Sequence, residues 1–249
     1  MFDTYAWLLE GLGGFERLKE TPLVLCNDEF FPVEHGAREV LAEALFHWVK
    51  HHAGMPDWPV RLVAQPKSMT ARDVLSHGMT IAEKGEAGAA GTFSVGPDSV
   101  ATITYSESAI AEPEVFVATM AHELSHYLMA CLAEPNPGGE AEHEPATDLC
   151  SIFLGFGVPT ANAAFRFRQY SDGHMQGWAT GGVGYLSEQE RAYALAMFLA
   201  LTEGQVELAR KHLRPNPRAY LKDAIRDLER YHLQRLAELR RIQPKPVPE

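Results

Sequence analysis

"MAHELSHYLM", residues 120–129, decides how the rest of the chain is read. His122 and His126 stand four apart and Glu123 follows the first. Either these residues form a site, or a helix happens to carry two histidines and an acid. The pattern H-E-x-x-H is short enough to arise by chance, so its surroundings have to decide.

A helix is predicted over 113–132, and at about 100° per residue His122 and His126 lie about 40° apart on one face. Two ligands of a single ion need that arrangement. Phe116, Met120, Leu124, Tyr127 and Cys131 gather on the opposite side, which argues against two histidines satisfied inside an apolar core. Beside the histidines stand Val115, Ala118 and Thr119, with no solubilising charge, so this face is expected to line a cleft. Glu123 projects about 100° around from His122. That is beside the ligands, where the base for a metal-activated water belongs.

A catalytic zinc site takes three protein ligands and leaves a fourth position for water. The segment "GGEAEHEPATDLC" (138–150) offers Glu140, Glu142, His143, Glu144 and Asp148. Glu144 opens a helix whose Ala146, Leu149, Ile152, Phe153, Leu154 and Phe156 are apolar nearly all round, so that helix is expected to be buried. Glu144, Asp148 and Ser151 form one polar stripe along it, whereas Glu142 and His143 precede it. A buried carboxylate without a partner is costly. An ion for Glu144 and the second N–H of a ligating histidine for Asp148 satisfy both groups. Pro145 fits, since the first helical turn needs no N–H there.

With H-E-x-x-H, 17 intervening residues, Glu144 and then Asp148 four further on, residues 99–156 resemble the gluzincin branch of the zinc metallopeptidases. The resemblance implies Zn²⁺ held by His122, His126 and Glu144, Glu123 as general base, and Asp148 supporting a ligating histidine. It also implies that the strand "ATITYSES" is an edge that pairs with substrate, and that a Tyr or His of the second lobe steadies the oxyanion. His174 and Tyr185 are the candidates for that role. "HELSHYLMACL" has neither the Gly nor the third His of the metzincin pattern, and Pro145 directly after Glu144 departs from the gluzincin one. "EPATDLCSIFLGFGV" and "GYLSEQERAYALAMF" are similar to segments of small uncharacterised bacterial proteins with a zincin core, which implies no substrate.

The remaining chain supplies the frame. "TPLVLCN" (21–27) is a short β-rich run, 35–52 has the apolar spacing of an amphipathic helix, and 58–65 alternates like a strand. "EKGEAGAAGTFSVGPD" reads as a loop leading into the strand "SVATITYSES". After the breaker "EPNPGGEAEHE" come an apolar helix over about 145–156, an irregular Gly-rich segment, a helix over 188–203 and a basic amphipathic helix over 216–242. Ser187 and Glu190 form a capping box at the start of the third of these. The tail "PKPVPE" is expected to be unstructured.

The expected class is α+β and zincin-like: one domain over 1–249, with a small mixed sheet and the histidine helix in a lobe of about 1–132. A mostly helical lobe of about 133–249 supplies the third ligand.

Thirty-three acidic against 22 basic residues give a net charge of −11, which argues against nucleic acid or an anionic membrane as partner. No secretory signal is visible, and the longest apolar run is broken by Gly155, Gly157 and Pro159. Cys26, Cys131 and Cys150 are odd in number and lack metal spacing, so they read as reduced thiols of a cytoplasmic protein. The expected activity is zinc-dependent hydrolysis of an amide bond in a peptide or protein. The competing expectation is a non-catalytic zincin-like metal-binding regulatory or interaction protein, with the C-terminal helix as a possible docking element for a protein partner.

Overall fold

The structure is a computed structural model that describes residues 1–33, 37–65, 91–95, 100–107, 109–172 and 186–245, with side chains omitted over 165–172. It is a mixed α+β arrangement, mostly helical, with one open three-stranded sheet. In chain order come α1 (Phe2–Gly11), α2 (Gly14–Lys19) and α3 (Arg38–His52), followed by β1 (Val60–Gln65), β2 (Gly91–Val95) and β3 (Ala101–Ser106). Then come α4 (Pro113–Ala130), α5 (His143–Ser151), a π-turn (Ile152–Phe156) and α6 (Gly157–Asp172). The last helices are α7 (Glu188–Thr202), α8 (Val206–His212), α9 (Pro215–Tyr231) and α10 (Leu233–Leu239). No helix among the described residues is long and apolar enough to cross a membrane.

β3 is the middle strand, parallel to β1 and antiparallel to β2, with Ile103 opposite both Leu62 and Phe93. The strand expected as an edge is therefore central. What displaces it is β2, formed by "GTFSV" inside the stretch expected to be a loop. Thr and Phe favour strands when a partner is present, and β3 supplies one. Thr104 ties the three strands together, with its hydroxyl 2.7 Å from that of Thr92 and bonded by the Gln65 amide at 2.9 Å.

α4 is the centre of the molecule. Val115 through Ser125 are all buried, because α3, α5, α6 and β2 pack around the helix. Phe116, Met120 and Leu124 join the main core, as the periodicity predicts. The face with small residues differs from expectation. Val115 and Ala118 pack against Ala163 of α6, and the Thr119 hydroxyl donates to the Val115 carbonyl at 2.9 Å. Small side chains there admit a neighbouring helix rather than line a cleft.

Residues 21–27 form no strand. The Val24 N–H instead donates to the Gly155 carbonyl at 3.0 Å, and Val24 and Leu25 are buried. Gly155 sits at φ 98°, and a Cβ there would collide with the Pro22 carbonyl oxygen. This one left-handed residue bends the chain between α5 and α6 and receives the N-terminal segment.

Of the segment expected to be irregular, Gly157–Asp172 is helical, and its Gly-rich part over 173–185 lies outside the described residues. Pro159 falls in the first turn of α6, where no N–H is required. The capping box of α7 forms as expected: the Ser187 hydroxyl accepts from the Glu190 N–H, and the Glu190 carboxylate accepts from the Ser187 N–H at 2.8 Å. Residues 216–242, expected as one helix, divide at His232, whose φ of −127° leaves the helical path. The break lets α10 turn back and bury Leu236 and Leu239 against the body. Part of the tail is also placed, since the Lys245 N–H donates to the Glu10 carbonyl at 2.8 Å.

Candidate metal centre

His122 and His126 leave α4 one turn apart, and Glu144 reaches them from the first turn of α5. His122 Nε2 lies 3.1 Å from His126 Nε2 and 3.1 Å from Glu144 Oε2, and His126 Nε2 lies 3.6 Å from Glu144 Oε1. A tetrahedral ion with bonds of about 2.0–2.1 Å places neighbouring donor atoms roughly 3.3 Å apart, so the spacing suits one divalent cation. His122 is buried, and the side chains of His126 and Glu144 are 10% and 21% exposed. Among the described residues, these three form the group able to hold a metal ion.

The hydrogen bonds on the far side of each ring agree with that reading. His122 Nδ1 is 3.0 Å from Asp148 Oδ1. A carboxylate only accepts, so Nδ1 carries the proton and Nε2 presents its lone pair to the centre. His126 Nδ1 faces His143 Nε2 at 3.1 Å and the Thr147 hydroxyl oxygen at 3.4 Å. The Thr147 hydroxyl hydrogen goes to the His143 carbonyl, which leaves its oxygen as an acceptor. For His126 Nε2 to present a lone pair as well, its Nδ1 must carry the proton, and the Thr147 oxygen and His143 Nε2 are the groups within reach to accept it. Two lone pairs and a carboxylate facing one another repel unless a cation stands between them.

Without a metal, a proton is that cation. Burial opposes charge on His122, but hydrogen bonds to Asp148 and Glu144 and their negative charge outweigh it and push the imidazole up to about 10. Burial, and then the charge on His122, hold His126 down at about 3. Burial would raise Glu144, yet its bond to His122 and the nearby imidazoles draw it down to about 2. Glu144 at the centre and Asp148 behind His122 give the site the negative charge that a bound cation offsets.

Glu123 is buried on α4, 6% exposed, one residue from His122. Asp148 is 1% exposed and sits against His122 rather than at the converging atoms. Glu140 and Glu142, the other carboxylates weighed as a third ligand, are exposed. His174 and Tyr185 lie outside the described residues.

Three further neighbours stand where a reading of the sequence does not put them, among them His143, weighed above as a third ligand. His143 precedes the polar stripe of α5, yet its ring stacks on His126 with centroids 5.2 Å apart. Phe93 of β2 stacks on Tyr127 at 5.5 Å and lies parallel to the His126 ring at 6.5 Å, so β2 borders the centre. Arg191 of α7 is fully buried and donates from Nη2 to Asp148 Oδ2 at 2.7 Å. A single arginine in the apolar run "RAYALAMFLAL" was its visible trace, because a buried charge needs a partner.

No family model matches the chain, and neither does any curated protein or solved structure.

Proposed function

We propose that this chain is a zinc-dependent hydrolase of the zincin type, and specifically a gluzincin-like metallopeptidase that cleaves an amide bond in a peptide or protein. The observation that carries the reading is the convergence of His122, His126 and Glu144, with Glu123 buried next to His122 on the same helix. Two imidazoles and a carboxylate are a donor set that suits zinc. The same set suits iron(II), and Glu123 favours hydrolysis over oxidation because hydrolysis needs a base beside the ion. Three donors converge among the described residues, and in this reading water takes the fourth position, as at a catalytic rather than a structural zinc.

A divalent ion held there supplies Lewis acidity, which acidifies water and polarises a carbonyl oxygen. The protein's own part is to orient and to move a proton. Asp148 holds His122 with its Nε2 lone pair inward, and His143 and Thr147 lie against the outer nitrogen of His126. Glu123 accepts a proton from water as the new C–O bond forms, then delivers it to the amide nitrogen as the C–N bond breaks. In this reading β2 rather than β3 pairs with an extended substrate, because among the described residues β2 has a strand neighbour on one side alone and carries Phe93 beside His126.

The test is Glu123→Gln. It is expected to keep bound zinc and lose cleavage of a proteome-derived peptide library by about 100-fold or more, the scale of losing a general base. If wild type and variant both bind zinc and neither cleaves any peptide, the reading falls in favour of a non-catalytic metal-binding protein.

A further inference from the structure

Asp148 touches two elements besides its own. Its Oδ1 faces His122 of α4, while its Oδ2 accepts from Arg191 Nη2 at 2.7 Å and from the Leu186 N–H at 2.9 Å. Arg191 is itself held by acceptors that include three among the described residues. Nε donates to the Leu186 carbonyl at 2.9 Å and Nη1 to the Thr160 carbonyl of α6 at 3.2 Å, in addition to the bond with Asp148. Arginine and aspartate are each about 1% exposed. A buried ion pair gives little net stability over a well-packed apolar pair of the same volume, so stability alone is a weak reason for it. A planar guanidinium fixed on two carbonyls has one orientation, and it fixes the carboxylate it grips.

We propose that Arg191 is a positioning residue for the metal centre: by holding Asp148 Oδ2 it aims Oδ1 at His122 Nδ1 and so turns Nε2 of His122 toward the ion. The inference rests on the reading of His122 as a metal ligand. It extends the centre from the two ligand-bearing helices to α7. The charge sequence runs from Arg191 through Asp148 to the His122 ring, with each link between 2.7 and 3.0 Å. Loss of the arginine leaves Oδ2 with the Leu186 N–H alone and the Asp148 carboxylate freer to rotate, which loosens the His122 ring rather than removing a ligand.

The experiment uses the full chain with Arg191→Met, Arg191→Lys, Asp148→Asn and the Arg191→Met/Asp148→Asn double variant. Zinc affinity is read by competition with a chromophoric chelator, and the His122 Nδ1–H proton by NMR of the metal-free protein. Arg191→Met is expected to bind zinc about 10–100-fold more weakly, the usual cost of losing an outer-shell partner. Its His122 N–H signal should broaden or move. Arg191→Lys should show a smaller loss, since an ammonium reaches Asp148 but cannot hold both carbonyls. In the Asp148→Asn background the methionine substitution should cost little more, because the two act through one contact.

Unchanged zinc affinity and an unchanged His122 N–H signal in Arg191→Met would overturn the proposal, as would fully additive losses in the double variant. If Arg191→Met does not fold, Arg191→Lys decides by the same two readouts, and no change in either one sinks the idea. A wild-type chain that binds no zinc defeats the reading of the site. The N–H signal then still shows whether Arg191 orients His122.

Discussion

The carboxylates of α5 have different surroundings. Glu144 is partly exposed and points at two imidazole nitrogens, whereas Asp148 is sealed between His122, Arg191 and the Leu186 N–H. Glu144→Ala is therefore expected to weaken zinc binding by more than the roughly 10–100-fold that removal of an outer partner costs. Glu142→Ala, at an exposed position, should leave it unchanged. Asp148→Asn should retain the ion at about 10–100-fold lower affinity, because an amide still reaches His122 but no longer fixes the tautomer. Metal titration of the three variants checks the order. His143 belongs to the same ranking. Its Nε2 is the nearer of two groups that face His126 Nδ1, so His143→Ala should weaken zinc binding measurably, and less than Glu144→Ala. Equal affinity in wild type and His143→Ala would mean that Thr147 alone orients that ring.

Among the elements, the bend between α5 and α6 is the most constrained by a single residue. Gly155→Ala places a Cβ in left-handed backbone and against the Pro22 carbonyl. The cost is expected at about 1–3 kcal/mol, read as a lower denaturant midpoint. An unchanged midpoint would mean that the 21–25 segment moves aside freely. Periodicity made α3, α4 and the start of α5 legible in the sequence, and the spacing of four put both histidines on one face. Other features depend on contacts that no local pattern carries. β2 is five residues long and is a strand because β3 lies beside it. α6 was obscured by Gly155, Gly157 and Pro159, two of which are harmless in the first turn of a new helix. Arg191 pairs with an aspartate 43 residues away, so its role lay outside any window of the sequence.

At the scale of the whole molecule, the candidate centre links α4 to α5 directly and α7 through Asp148 and Arg191. A ligand that binds the folded chain alone stabilises it by mass action, by about 2.7 kcal/mol at a hundredfold excess over Kd. For a chain of this size each kcal/mol is worth roughly 2–4 °C in Tm. Chelation should therefore lower Tm by about 5–10 °C, and zinc should restore it.

The most direct test is the zinc content of the purified chain compared with that of a His122→Ala/His126→Ala variant whose helical content is unchanged by circular dichroism. One zinc per wild-type chain and none in the variant is the expected result. A wild-type chain that neither carries nor takes up a divalent metal, or a variant that binds zinc as tightly as wild type, would contradict it.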